Sequence, residues 1–235
     1  MSVLAIIPAA GVGARMGRET PKQFLSIRGI PIFVYTLRKF VSSGAVDEIL
    51  LAVRPGAMDR VKEAVDKEPS GLPLSLTEGG GTRQETVARA LAKAPPSTEV
   101  VVVHDAVRPF ITAEMIKRVI EAARKDGAAI LGIPSVDTVK QIEHDIILGT
   151  IPRERIALAQ TPQAFRYALL REAFERALSD DFQGTDESSL VERLGARVTV
   201  LMGSDRNIKI TKPSDLPLAR LFIDLERRAI KASDE

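Results

Sequence analysis

Val3-Leu4-Ala5-Ile6-Ile7 runs straight into Pro8-Ala9-Ala10-Gly11-Val12-Gly13-Ala14-Arg15-Met16-Gly17. A short, continuously apolar run before a glycine-rich loop reads as a parallel strand covered on both faces. Similar apolar runs recur at Glu48–Val53 and at 72–76, 100–103 and 128–133. Amphipathic stretches alternate with them. Residues 31–43 put Phe33, Leu37, Phe40 and Val41 on one stripe, and 57–67, 83–93 and 113–125 behave alike. Thr82-Arg83-Gln84-Glu85 has capping-box spacing and predicts a helix that starts just after Thr82. Alternating strands and helices imply a doubly wound, mostly parallel α/β sheet of Rossmann-like type, with ligands beyond the carboxyl ends of its strands.

The rhythm changes after Pro134. Residues 136–151 alternate around His144-Asp145 and read as a β-hairpin. A two-stranded hairpin is marginal alone in water, so a second copy of the chain is the economical partner. Beyond it the sequence suggests helices near 166–178 and 186–194, a strand at 197–202 and a closing helix from about Pro213. No repeat, low-complexity tract or linker divides the chain, so one domain over 1–235 is expected, with a dimerisation arm at about 136–155.

Composition narrows the chemistry. The 235 residues are 45% hydrophobic and 27% charged, a globular mixture. Basic and acidic residues nearly cancel, 33 against 31, so bulk charge argues for neither nucleic acid nor membrane. Absence of cysteine removes disulfides, thiolate nucleophiles and zinc–thiolate sites. The two histidines, His104 and His144, make a multi-histidine metal site untenable. With no basic leader and no apolar run of membrane length, the expectation is a cytoplasmic protein.

Three clusters carry chemistry. The first loop fails the dinucleotide fingerprint, because Met16 stands where Gly or Ala is needed, and it lacks the Gly-Lys-Ser/Thr of a P-loop. It does carry its own cations, Arg15, Arg18 and Lys22. Read alone, it is as much a tight turn with solvated basic side chains as a phosphate cradle. The second cluster, Gly79-Gly80-Gly81-Thr82-Arg83-Gln84-Glu85-Thr86-Val87, joins a strand to a capped helix. Its glycines permit close backbone contact with a base or ribose, and the Thr86 hydroxyl can read a base edge; otherwise it is a flexible loop. The third, His104-Asp105-Ala106-Val107-Arg108-Pro109, follows the valine run. Asp105 there suits Mg²⁺, which needs only one or two carboxylates beside substrate phosphates. Equally, Asp105 caps the next turn and pairs with Arg108. His104 reads as ordering the strand end rather than as a base.

Taken in order, these clusters resemble the 2-C-methyl-D-erythritol 4-phosphate cytidylyltransferase family. Pro21-Lys22-Gln23, Asp137-Thr138-Val139-Lys140, Gln160-Thr161-Pro162-Gln163, Thr185-Asp186-Glu187 and Asn207-Ile208-Lys209-Ile210-Thr211 extend the match from residue 3 to about 223. The resemblance implies a nucleotidyltransferase that joins CTP to methylerythritol 4-phosphate, giving CDP-methylerythritol and pyrophosphate for non-mevalonate isoprenoid synthesis. It implies that Ala9, Ala10, Gly11, Gly80, Arg83 and Thr86 hold cytosine and ribose. Arg15, Lys22 and Lys209 would contact the phosphates, and Asp105 would hold Mg²⁺. Thr138 and Arg153 would hold the polyol phosphate, with Arg153 crossing to the other protomer of a homodimer. Thr86 replaces the family's usual serine, Val107 its usual alanine, and Arg206 the aspartate of some members; Asp205 is given no role. The nearest alternative is a cytidylyltransferase for another polyol phosphate, such as ribitol 5-phosphate. Further off lie a sugar-1-phosphate or GTP-using nucleotidyltransferase and a catalytically dead nucleotide sensor.

Overall fold

The computed structural model describes residues 2–11, 24–68 and 71–233, the side chains of 230–233 excepted. β1 (Ser2–Ala9) lies inside a seven-stranded sheet with β4 (Glu48–Val53), β5 (Leu74–Glu78), β6 (Thr98–Val103), β7 (Ala128–Pro134), β10 (Ala157–Arg166) and β11 (Thr199–Met202). The order is β11-β7-β10-β6-β1-β4-β5. All neighbours are parallel except β10, which runs antiparallel to both β6 and β7. The chain proceeds from β1 to β4 and β5 on one side, then returns to place β6 on the other. That reversal opens a crevice at the carboxyl ends of β1 and β6, where ligands of doubly wound sheets bind.

Successive residues of β1 serve opposite faces, as strand geometry requires. Val3, Ala5 and Ile7 pack with Phe33, Leu37 and Phe40 of α1 (Ile32–Ser43) and with Ile116, Val119 and Ile120 of α4 (Ala113–Asp126). Leu4 and Ile6 face Val87 and Leu91 of α3 (Arg83–Leu91) and Leu170 and Phe174 of α5 (Tyr167–Ser179). α2 (Met58–Val65) and α6 (Glu187–Arg193) complete the layers. A third core sits at one end, where α7 (Asp215–Ser233) lays Ala219 and Ile223 over Ile27, Phe110 and Ile210. Ile27 belongs to a small hairpin of β2 (Ser26–Ile27) and β3 (Ile30–Pro31).

β10 is the element that sequence patterning does not reveal. Its ten residues hold Gln160-Thr161-Pro162-Gln163, and proline normally excludes a central strand because it cannot donate to the ladder. The sheet accommodates Pro162 by a register shift between Gln160 and Gln163. Pairing with β6 begins only at Gln163, opposite Val103.

β8 (Val139–Glu143) and β9 (Ile146–Ile151) form a separate antiparallel hairpin, turning at His144 and Asp145 as the alternation predicts. Both turn residues have positive φ, 45° and 65°, the hand that two-residue hairpin turns favour. Ile142 and Ile146 are 63% and 66% exposed. Among the described residues, no helix is long and apolar enough to cross a membrane.

Candidate active site

Gly79 shows how closely the first two clusters meet. A Cβ there would lie 2.4 Å from Cβ of Ala10 and 3.1 Å from the Thr86 side chain. Only glycine lets the end of β5, the end of β1 and the first turn of α3 share that space. At Gly80 a Cβ would fall 2.4 Å from the Glu85 side chain. Thr82 caps α3 by accepting from Glu85 N at 3.0 Å. Glu85 returns its carboxylate to Gly81 N at 2.7 Å, one residue earlier than an ideal capping box, and so fixes the loop.

Thr86 is tied into the loop. Its hydroxyl accepts from Gly80 N at 3.0 Å and donates to the carbonyl of Thr82 at 2.8 Å, within a buried environment. The group bonds the loop backbone on both sides. Its contribution is the shape of the Gly80 turn.

Asp105 is the centre of the site. It follows β6, is buried, and anchors its N–H on Thr161 Oγ1 at 3.0 Å. Three cations surround the carboxylate. Lys209 Nζ lies 2.8 Å and Arg108 Nε 3.5 Å from Oδ2, while Arg83 Nε lies 3.3 Å from Oδ1. Burial opposes ionisation of Asp105, but Arg83, Lys209 and Arg108 together hold its carboxyl far below the usual range. Asp105 does pair with Arg108, as one of its sequence readings expects, and it also faces Lys209 from far along the chain. Arg108 additionally donates from Nη1 to the carbonyl of Asn207 at 2.7 Å, tying the Lys209 segment to β6.

His104 is fully enclosed. Its Nδ1 meets Thr161 Oγ1 at 3.1 Å and its Nε2 the Arg108 carbonyl at 3.0 Å. Burial brings its pKa down to about 4, so the ring is neutral and orders the strand end.

Sequence reasoning missed two supports of this centre. Glu187 accepts from Arg83 Nη1 at 2.7 Å. Asn207 donates from Nδ2 to Gln160 Oε1 and the Thr161 carbonyl at 3.2 and 2.9 Å. Both sit in motifs whose order is recognisable, but only the fold says what they touch.

The structure thus joins Ala10, Gly79, Gly80, Arg83, Thr86, Asp105 and Lys209 in one place, with Ala9 and Gly11 on the same segment as Ala10. Arg15 and Lys22 lie outside the described residues. Thr138 and Arg153 flank the hairpin, just before β8 and just after β9. Arg153 is 56% exposed and donates to the Val136 carbonyl at 3.0 Å, and the described contacts do not link it to Asp105.

The close-packed glycines at 79–80 and the surplus of cations about Asp105, at the switch point of a doubly wound sheet, suit a protein of the nucleotide-binding class. The profile of the 2-C-methyl-D-erythritol 4-phosphate cytidylyltransferase family matches residues 3–225. The chain belongs to that family. It is 49% identical over 234 residues to the 2-C-methyl-D-erythritol 4-phosphate cytidylyltransferase of Solibacter usitatus, covering 95% of this chain and 96% of that one. Its identity to the Acidobacterium capsulatum enzyme of the same name is 50% over 233 residues, covering 95% and 98%. Among solved structures, 4-diphosphocytidyl-2C-methyl-D-erythritol synthase from Anaerococcus prevotii superposes with a TM-score of 0.84 at 32% identity, covering 95% and 98%. The Thermus thermophilus cytidylyltransferase gives a TM-score of 0.78 at 38% identity, covering 95% and 100%.

Proposed function

We propose that this chain transfers the cytidylyl group of CTP to 2-C-methyl-D-erythritol 4-phosphate, releasing pyrophosphate and forming CDP-methylerythritol for isoprenoid precursor synthesis. Family membership over nearly the whole chain supports the substrates. The observation that carries the chemistry is the Asp105 cluster, whose cations outnumber its carboxylates beside the Gly79–Gly81 loop.

The nucleophile is a phosphate oxygen of the polyol phosphate. A phosphomonoester loses its second proton near pH ~6, so it is mostly dianionic at neutral pH. It attacks the α-phosphorus of CTP in line; a new P–O bond forms, the α–β bridging bond breaks, and pyrophosphate departs with the electron pair. No general base is required, which agrees with a His104 that is neutral and enclosed. The obstacle is the approach of two anions. Lys209, together with Arg15 and Lys22 from the first loop, opposes that repulsion and holds the charge that develops on the leaving group.

Backbone of Ala9, Ala10, Gly11 and Gly80 would flank cytosine and ribose, with Thr86 holding the Gly80 turn and Arg83 bracing Asp105. Thr138 and Arg153 would take the polyol phosphate. Because no described contact joins Arg153 to its own Asp105, we assign it to the neighbouring site of a homodimer joined through the hairpin.

Mg²⁺ fits the donor set, though not as an all-protein cage. Among the described residues no group of three or more His, Cys, Asp or Glu could hold a metal. Asp105 instead offers a single, firmly ionised hard-oxygen ligand beside a phosphate site, the usual arrangement for this ion. When bound, Mg²⁺ would supply further neutralisation of the triphosphate charge.

Competition among CTP, UTP, GTP and ATP tests the base, with pyrophosphate release as readout. CTP should be used in strong preference; equal use of all four would overturn the assignment. Chelation should abolish release and added Mg²⁺ restore it, whereas full activity in chelator would remove the metal from the account.

A further inference from the structure

Glu187 has no task in the chemistry above, yet it is among the most deeply placed charges of the site. Its side chain is 2% exposed; Oε1 takes Arg83 Nη1 at 2.7 Å, and Oε2 is buried with no hydrogen-bond partner. An ion so enclosed costs several kcal/mol unless it is well paired. Burial pushes the Glu187 carboxyl up, and Arg83 pulls it back.

The location of this carboxylate is set from the sheet. Asp186 caps α6 by accepting from Ser189 N at 3.0 Å. Gln163 of β10 donates to Asp186 Oδ2 at 2.7 Å and accepts from Ser188 N at 3.1 Å. The same Gln163 pairs with Val103, two residues before Asp105. Glu187 and Asp105 are therefore held against one reference, and Arg83 spans the gap between them.

Arg83 divides its guanidinium unequally. The contact to Glu187 is 2.7 Å and that to Asp105 Oδ1 is 3.3 Å. Left with Asp105 alone, a guanidinium would close into a short, bidentate carboxylate pair. That closure would add a second, shorter bond to the one that Oδ1 already accepts from Nε, and loss of the Glu187 charge would raise the local charge by one.

We propose that Glu187 is a positioning residue for cytidylyl transfer: it holds the Arg83 guanidinium to a single Nε contact with Asp105 Oδ1 and keeps it from closing on that carboxylate with two nitrogens, so that Asp105 and its neighbours stay set for the nucleotide. The inference rests on the cytidylyl-transfer reading above.

Glu187→Gln keeps the shape and removes the charge. CTP should then bind about tenfold more weakly by calorimetry, with a matching rise in its KM. The KM for methylerythritol phosphate should stay near wild type and kcat within about threefold. In an Arg83→Met background the same change should add no further loss of CTP affinity, because two residues acting through one contact are not additive. Glu187→Asp, which keeps the charge with a shorter reach, should give an intermediate affinity and covers the case in which Glu187→Gln fails to fold. Unchanged CTP affinity, an equal rise in both KM values, or additivity with Arg83→Met overturns the proposal. A wild-type chain inactive with CTP would overturn the function instead, so the two failures are separable.

Discussion

Asp105 has more cationic partners than one carboxylate can use, with Arg83, Arg108 and Lys209 all within ion-pair reach. Desolvating so many ions is a poor way to gain stability, and the positive surplus matches a triphosphate. Lys209→Ala should therefore lower kcat about 10²-fold, the scale for losing one preorganised charge contact, while circular dichroism stays unchanged. A kcat within a few-fold of wild type would take Lys209 out of the phosphate contacts. His104 makes a separate prediction about folding. Its pKa falls from 6.5 in the unfolded chain to about 4 in the folded one, so the unfolded state takes up the proton first as pH drops. The stability tied to the neutral ring is complete above pH 6.5, is lost between 6.5 and about 4, and amounts to roughly 3 kcal/mol. Urea midpoints should fall across that window in wild type and less steeply in His104→Gln; parallel profiles would contradict it. Asp105 and the strand-ordering part of His104 were legible from their place after a valine run. Glu187 was not, because nothing near it in sequence reports that its partner is Arg83, more than a hundred residues away.

At the scale of elements, α7 stands behind the segment that carries Lys209. Ile223 and Ala219 cover Ile210, and Asp215 accepts from Thr211 N at 2.7 Å and Lys212 N at 2.9 Å. Ile223→Ala should cost about 2–5 kcal/mol in denaturant unfolding, the range for truncating a buried aliphatic side chain. A cost below about 1 kcal/mol would mean that α7 is a loosely attached end. Most elements could be read from periodicity, since continuous apolar runs and amphipathic stripes report directly which faces are covered. β10 escaped because Pro162 argues locally against a strand, and only the register shift in the finished sheet makes room for it. The start of α3 was readable because Thr82 and Glu85 act within a single turn, although Glu85 reaches Gly81 N rather than Thr82 N.

At the scale of the whole molecule, the hairpin and its exposed isoleucines ask for a partner. If Arg153 of the partner subunit completes each site, Arg153→Ala should raise the KM for methylerythritol phosphate far more than that for CTP. Equal changes would make Arg153 structural. Mixed dimers sharpen this test. Lys209→Ala and Arg153→Ala chains, each impaired alone, should recover roughly a quarter of wild-type activity after subunit exchange, since each heterodimer regains one intact site. No recovery would return Arg153 to its own chain. The central claim, cytidylyl transfer to one particular polyol phosphate, is tested most directly by pyrophosphate release from CTP with 2-C-methyl-D-erythritol 4-phosphate, run beside ribitol 5-phosphate. The account predicts rapid release with the first and little with the second; release favouring ribitol 5-phosphate, or none with either, would contradict it.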